Sequence, residues 1–137
     1  LCGSIVHPEK SPQKEMFERK IIIAGGRDFN DTGLMEKKIT FLLSELIKQG
    51  TKVVIVSGTA RGADRLGEAY AVRHGLEVKP YPADWNKYGK SAGYKRNEQM
   101  ADIADGLIAF WDGKSRGTKH MIDTARRKGL QVKVINY

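Results

Sequence analysis

A chain of 137 residues, 40% hydrophobic and 29% charged, is long enough to bury one core and too short for two, which excludes both a disordered chain and a two-domain protein. Lysine and arginine number 24 against 16 acidic residues, and the resulting net charge of +8 favours anionic partners, nucleotides or nucleic acid, although scattered surface lysines give the same total. No apolar run approaches the length of a membrane span, residues 1–19 lack the apolar centre of a signal peptide, and Cys2 has no second cysteine to pair with, so a cytoplasmic protein with no membrane partner, metal or cofactor is expected.

Residues 1–15 are polar, carry two prolines and show no sustained period, so a flexible leader is expected over 1–19, with Met16 just ahead of the first strand. Ile21–Ala24 reads as a strand. Leu34, Met35, Ile39, Leu42, Leu43 and Leu46 recur at helical spacing, and Gly50 stops that helix. Val53–Val56 is the second strand, followed by a helix over Ala63–His74 that Gly75 ends. Leu76–Tyr81 is the third strand, and YPADWNKYGKSAG after it reads as a long loop. A helix over Tyr94–Ile103 leads to a strand at Leu107–Phe110, then a loop, a helix over Gly117–Lys128 closed by Gly129, and a last strand at Val132–Ile135.

Regular alternation of strand and helix predicts an α/β domain with a parallel sheet covered on both faces. IIIA, VVIV and LIAF are unbroken apolar runs, as central strands require, whereas LEVKPY and VKVI alternate and read as edges. These edges fit a five-stranded, Rossmann-like three-layer sandwich of order 3-2-1-4-5. The order 2-1-3-4-5 would expose VVIV instead. The switch point of the 3-2-1-4-5 order lies between the first and fourth strands, where ligands of open α/β sheets bind.

Three loops leave the carboxyl ends of strands one, two and four: AGGRDF (Ala24–Phe29), SGTARGAD (Ser57–Asp64) and WDGKSRGT (Trp111–Thr118). Each combines glycines with an arginine. Glycine lets backbone approach a ligand, the N–H groups of a helix start attract phosphate, and arginine adds a bidentate clamp. A single loop of this kind is also satisfied by turn geometry alone, and none contains GxGxxG or a P-loop. Three side by side predict an anion site. Asp28 and Asp64 sit at loop-to-helix junctions, where helix capping and ribose binding are both open roles. His7, His74 and His120 stand apart in sequence and are read as surface or supporting residues.

VSGTARGADRLGEAYAVRHG and YKRNEQMADIADGLIAFWDGKSRGTKHMIDTARRKGLQVKVI resemble the SLOG superfamily, and AGGRDF points to its YspA/YpsA-related branch. The resemblance covers residues 20–137 and implies a SLOG-type Rossmann-like nucleotide-binding domain there. Two better understood relatives imply different functions. Lonely Guy phosphoribohydrolases cleave a nucleoside monophosphate at its N-glycosidic bond with motifs similar to HERK and PGGxGTxxE. Arg96 in YKRN matches the arginine and Gly117-Thr118 match the GT, but the proline is absent and Met121 holds the glutamate position. A thioether cannot act as a general acid or stabilise an oxocarbenium ion. Asp64, Glu98 and Asp28 are the carboxylates left to substitute. DNA-processing protein A binds single-stranded DNA, and its motifs resemble SGTARGAD and KRNEQMAD. The stretch YPADWNKYGKSAGYKR would stack bases and contact phosphate in such a role, or else cover the sheet edge with Trp85 and Tyr88.

The reading is a domain that binds a nucleotide or nucleotide-derived small molecule at the carboxyl edge of its sheet, in sensing or sequestration. The alternatives are a phosphoribohydrolase-like enzyme, with Arg96, Asp64 and Glu98 as catalytic candidates, and a binder of single-stranded nucleic acid. Gly25, Gly26, Arg27, Asp28 and Phe29 are expected at base or ribose. Ser57, Gly58, Thr59, Arg61, Gly62, Ala63 and Asp64, together with Gly113, Ser115, Arg116, Gly117 and Thr118, are expected at phosphate, and Arg96 with Asn97 at charge. The resemblance also implies a homo-oligomer.

Overall fold

The three unbroken apolar runs form the middle of the sheet in a computed structural model that describes residues 17–137. Its strands are β1 (Glu18–Gly25), β2 (Lys52–Ser57), β3 (Glu77–Pro80), β4 (Gly106–Trp111) and β5 (Gln131–Asn136). All neighbours run parallel, in the order β3-β2-β1-β4-β5. Ile22 lies opposite Val56 on one side and Leu107 on the other, which sets the register of the centre. The edge strands β3 and β5 alternate or stay exposed, as their composition requires.

Period-two alternation sends successive β1 side chains into two separate cores. Ile21 and Ile23 pack with Met35, Ile39 and Leu43 of α1 (Thr32–Lys48) and Ala63, Tyr70 and Ala71 of α2 (Ala63–Arg73). Ile22 and Ala24 point the other way, to Met100 and Ala101 and to Met121, Ile122 and Ala125. These belong to the helices that follow the long connection and the fourth strand. Truncating a side chain such as Ile23, which is fully buried, to alanine costs about 2–5 kcal/mol.

Several boundaries differ from expectation. β1 begins at Glu18 and not Ile21: the Lys52 N–H donates to the Phe17 carbonyl at 2.9 Å and the Lys20 N–H to Asp105 Oδ2 at 2.9 Å. Residues 18 and 19 therefore belong to the domain, and the rest of the expected leader up to Met16, with His7, lies outside the described residues. β3 is shorter than Leu76–Tyr81, because the Leu76 N–H is taken by the Ala71 carbonyl at the end of α2. The long connection is not all loop. It holds a single-turn helix α3 (Trp85–Tyr88), started by Asp84 Oδ1 accepting from the Lys87 N–H at 3.1 Å, and a 3₁₀ turn at Gly89–Ser91. Helix α4 (Ala92–Ile103) then begins two residues earlier than its apolar pattern, and α5 is Arg116–Arg127. No helix among the described residues is long and apolar enough to cross a membrane.

Candidate functional site

The loops after β1, β2 and β4 are stitched together at the switch point. The Gly26 N–H donates to the Phe110 carbonyl at 3.1 Å, and the Gly26 carbonyl accepts from the Ala63 N–H at 3.2 Å, so one glycine joins the end of β4 to the start of α2. Gly62 permits this closeness. Its φ is +83°, and a Cβ there would lie 2.6 Å from the Arg27 carbonyl oxygen. Above the junction opens a cleft of about 490 Å³. Gly25, Gly26, Arg27 and Asp28 form one wall and Ala60 with Asp64 the next. Arg96 and Asn97 of α4 close the third, and Ser115, Gly117 and Thr118 at the start of α5 the fourth.

Asp64 and Arg96 dominate the electrostatics. The carboxyl is buried, 6% exposed, with Oδ2 accepting from the Ala60 N–H at 3.2 Å. Burial pushes its pKa up to about 6, against the pull of Arg96 and of that N–H. Burial likewise lowers the Arg96 pKa, with Asp64 pulling it back and Arg27 pushing it further down. Arg96 Nη1 donates to the Gly58 carbonyl and Nε to Asn97 Oδ1 at 3.1 Å. Gly58 is wedged between the two charges, since a Cβ on it would sit 2.6 Å from Arg96 Nη1 and 2.8 Å from Asp64 Oδ2. Desolvation therefore outweighs attraction for both partners, as for charges removed from water with few hydrogen bonds.

The start of α5 is organised by its own side chains. Ser115 Oγ accepts from the Thr118 N–H at 3.4 Å, and Asp112 Oδ1 accepts from the N–H groups of Lys114 at 2.8 Å and Ser115 at 2.9 Å, which holds the Asp112 carboxyl below the usual range. Gly117 is open, with nothing within 4 Å of where a Cβ would be. Behind α4, His120 stacks on Tyr94 with ring centroids 4.2 Å apart and reaches Asn97 Nδ2 from Nδ1 at 3.2 Å, so it buttresses the wall and does not line it.

Other expected residues fall elsewhere. Phe29 is buried between Phe110 and Tyr137, Ala63 is buried under the Gly26 junction, and Ser57 donates to Glu68 Oε2 at 2.6 Å, so these three build the loops from beneath. Gly58, Thr59 and Arg61 line a smaller hollow alongside, while Gly113 and Arg116 line neither. Thr59 has φ +63°, a strained choice for a β-branched residue, held by the Ser57 Oγ contact to its N–H and by Arg65 Nε donating to its carbonyl. Glu98 is turned away and pairs with Arg127 at 3.6 Å. Asp28 faces the cleft and caps nothing, because α1 starts later and its cap is Asp31. Asp64 stands inside the first turn of α2, and the capping position is Gly62. His74 pairs with Glu36 on the surface. Residue-by-residue reading missed Tyr94, Asp112 and Tyr137. Asp112 and Tyr94 carried a signal, their places in WDGKSRGT and YKRN, and Tyr137 carried none.

A parallel 3-2-1-4-5 sheet with a polar cleft over its switch point defines a Rossmann-like α/β domain. The chain belongs to the YspA, cpYpsA-related SLOG family, whose model matches residues 19–88. It is 35% identical over 120 residues to the Gene 61 protein of Mycobacterium phage D29, a match covering 83% of this chain and 94% of that protein. Its fold is similar to the X-ray structure of DNA processing protein A from Streptococcus pneumoniae, with a TM-score of 0.63 at 19% identity over 87% of this chain. This chain spans 50% of the length of that protein, and at such identity the likeness is one of fold.

Proposed function

We propose that the cleft binds a nucleotide or nucleotide-derived ligand, as a sensor or a sequestering protein of the cytoplasm. One observation carries the reading: a guanidinium desolvated at the cleft wall faces the open first turn of a helix across a space lined by glycine. Such an arrangement suits a phosphate, because the cation and the helix N–H groups converge on one anion. Asp28 and Asp112 line the cleft and would accept from ribose hydroxyls. The homo-oligomer implied by the SLOG resemblance belongs to this proposal and is checked by light scattering on the purified protein.

The test is a thermal-shift panel of nucleoside monophosphates, dinucleotides, cyclic nucleotides and ADP-ribose at millimolar concentration. A ligand held only by the native state raises its melting temperature by mass action, and at least one compound is expected to do so. Arg96→Ala weakens a phosphorylated hit by about 1.5–3 kcal/mol and leaves the unphosphorylated nucleoside nearly unchanged. A panel with no shift removes the reading.

Hydrolysis of an N-glycosidic bond is the second reading, favoured by one group: Asp64, whose raised pKa makes it a competent acid near neutral pH. Met121, 1% exposed, joins the core and lines the cleft with a thioether that supplies no acid, and Glu98 is outside it. Wild-type protein incubated with nucleoside monophosphates is expected to release little free base. Efficient release that Asp64→Ala abolishes would establish turnover in place of simple binding.

A further inference from the structure

Beside the cleft lies a second hollow of about 270 Å³ that shares four walls with it, Arg27, Ala60, Trp85 and Arg96. The strained turn Gly58–Arg61 and the segment Pro82–Ala83 complete it. The two spaces differ in charge. Asp28, Asp64 and Asp112 temper the basic groups of the cleft, whereas the hollow is lined by three arginines, Arg27, Arg61 and Arg96, and by no carboxylate. Among the described residues neither Arg27 nor Arg61 is in an ion pair. Arg27 is near enough to Arg96 to disfavour its charge. Arg27 and Arg96 repel each other, and an anion seated between them and Arg61 relieves that repulsion while gaining up to three forked donors. Trp85, 52% exposed, stands on the partition between the two spaces, where its indole face is available to a base on either side.

We propose that this arginine hollow is a second phosphate subsite, and that cleft and hollow together take two consecutive nucleotides, a 5′-phosphorylated dinucleotide unit with one phosphate in each space and a base against Trp85. The inference rests on the nucleotide reading of the cleft. A free dinucleotide and a stretch of single strand present the same chemistry to these walls.

Calorimetric titration of the full chain with the four nucleoside 5′-monophosphates and the four matching 5′-phosphorylated homodinucleotides tests it. The best dinucleotide is expected to bind at least about tenfold more tightly than its mononucleotide, the scale of one charged hydrogen bond. Arg61→Ala, a change at an exposed side chain that lines the hollow and not the cleft, removes that gain and leaves mononucleotide affinity unaltered. Equal binding of both compounds, or equal losses for both in Arg61→Ala, overturns the second subsite and leaves the proposed function standing. Dinucleotide binding that needs Arg61 while no mononucleotide binds and Gly117→Ala has no effect supports the hollow as a site and removes the cleft reading. Absence of binding by all eight compounds overturns the second subsite, and the proposed function falls with it only when the full thermal-shift panel is silent as well. A homopolymeric 12-mer of the preferred base separates the sources: no gain over the dinucleotide identifies a free dinucleotide, and a gain that Arg61→Ala cancels identifies a strand.

Discussion

An aspartate held in a buried site beside an arginine balances two opposed effects, and at Asp64 burial wins. The folded pKa of about 6 lies above the ordinary 3.8, so ionisation costs more in the folded protein than in the unfolded chain. The sign follows. Asp64 imposes no cost below pH 4, its cost grows as pH rises between 4 and 6, and it is complete above. Asp64→Asn keeps an oxygen for the Ala60 N–H but removes the ionisation. The variant is expected to gain about 1–3 kcal/mol over wild type at pH 8, towards the lower end because Arg96 loses an opposite charge, and about half as much at pH 5. Urea unfolding at the two pH values checks this, and an equal difference at both would assign the shift to something other than Asp64.

Two glycines at helix starts differ in what surrounds them. Gly62 is locked by its positive φ and by the Arg27 carbonyl, and serves the fold. Gly117 has open space beside it on the cleft wall, with no demand for an unusual φ. Gly117→Ala is therefore expected to leave the urea midpoint unchanged or slightly raised, since alanine is favoured over glycine in a helix by up to about 1 kcal/mol. Its methyl group occupies ligand space, and any nucleotide found in the panel should bind several-fold more weakly. A drop in stability with unchanged binding would reverse that division of labour. The elements themselves were legible where their period was long. α1, with six apolar residues at helical spacing, emerges from the pattern to within two residues at each end, whereas the four residues of α3 are fewer than any period needs and only Asp84 announces them. Glu98 was separable from Arg96 in principle: two residues apart on a helix, they point to nearly opposite sides.

At the scale of the whole molecule, the charge of +8 is not one surface. Lys87 and Lys95 lie over the Tyr88 ring at 5.1 and 5.4 Å, while Lys90 lines the cleft. If a single strand crosses this region, its affinity falls with salt as phosphate contacts displace counterions, and Lys87, Lys90 and Lys95 changed together to alanine should lower the log–log slope by about 2. A slope untouched by the triple change would leave these lysines as solvated surface charge. The chain order of strands and helices, the central and edge strands, and hence the 3-2-1-4-5 sheet were determined by the sequence, because burial of a strand or a helix face writes a local period into the residues. The sequence also marked the three glycine and arginine loops. Only the tertiary structure decided which of their residues meet. Gly58 and Arg96 are 38 positions apart, Asp64 acquires its pKa from burial, and Tyr137 reaches Phe29 across the sheet. No periodicity reports such distances, since they depend on how helices settle on both faces of the sheet and on which carboxylates that settling removes from water.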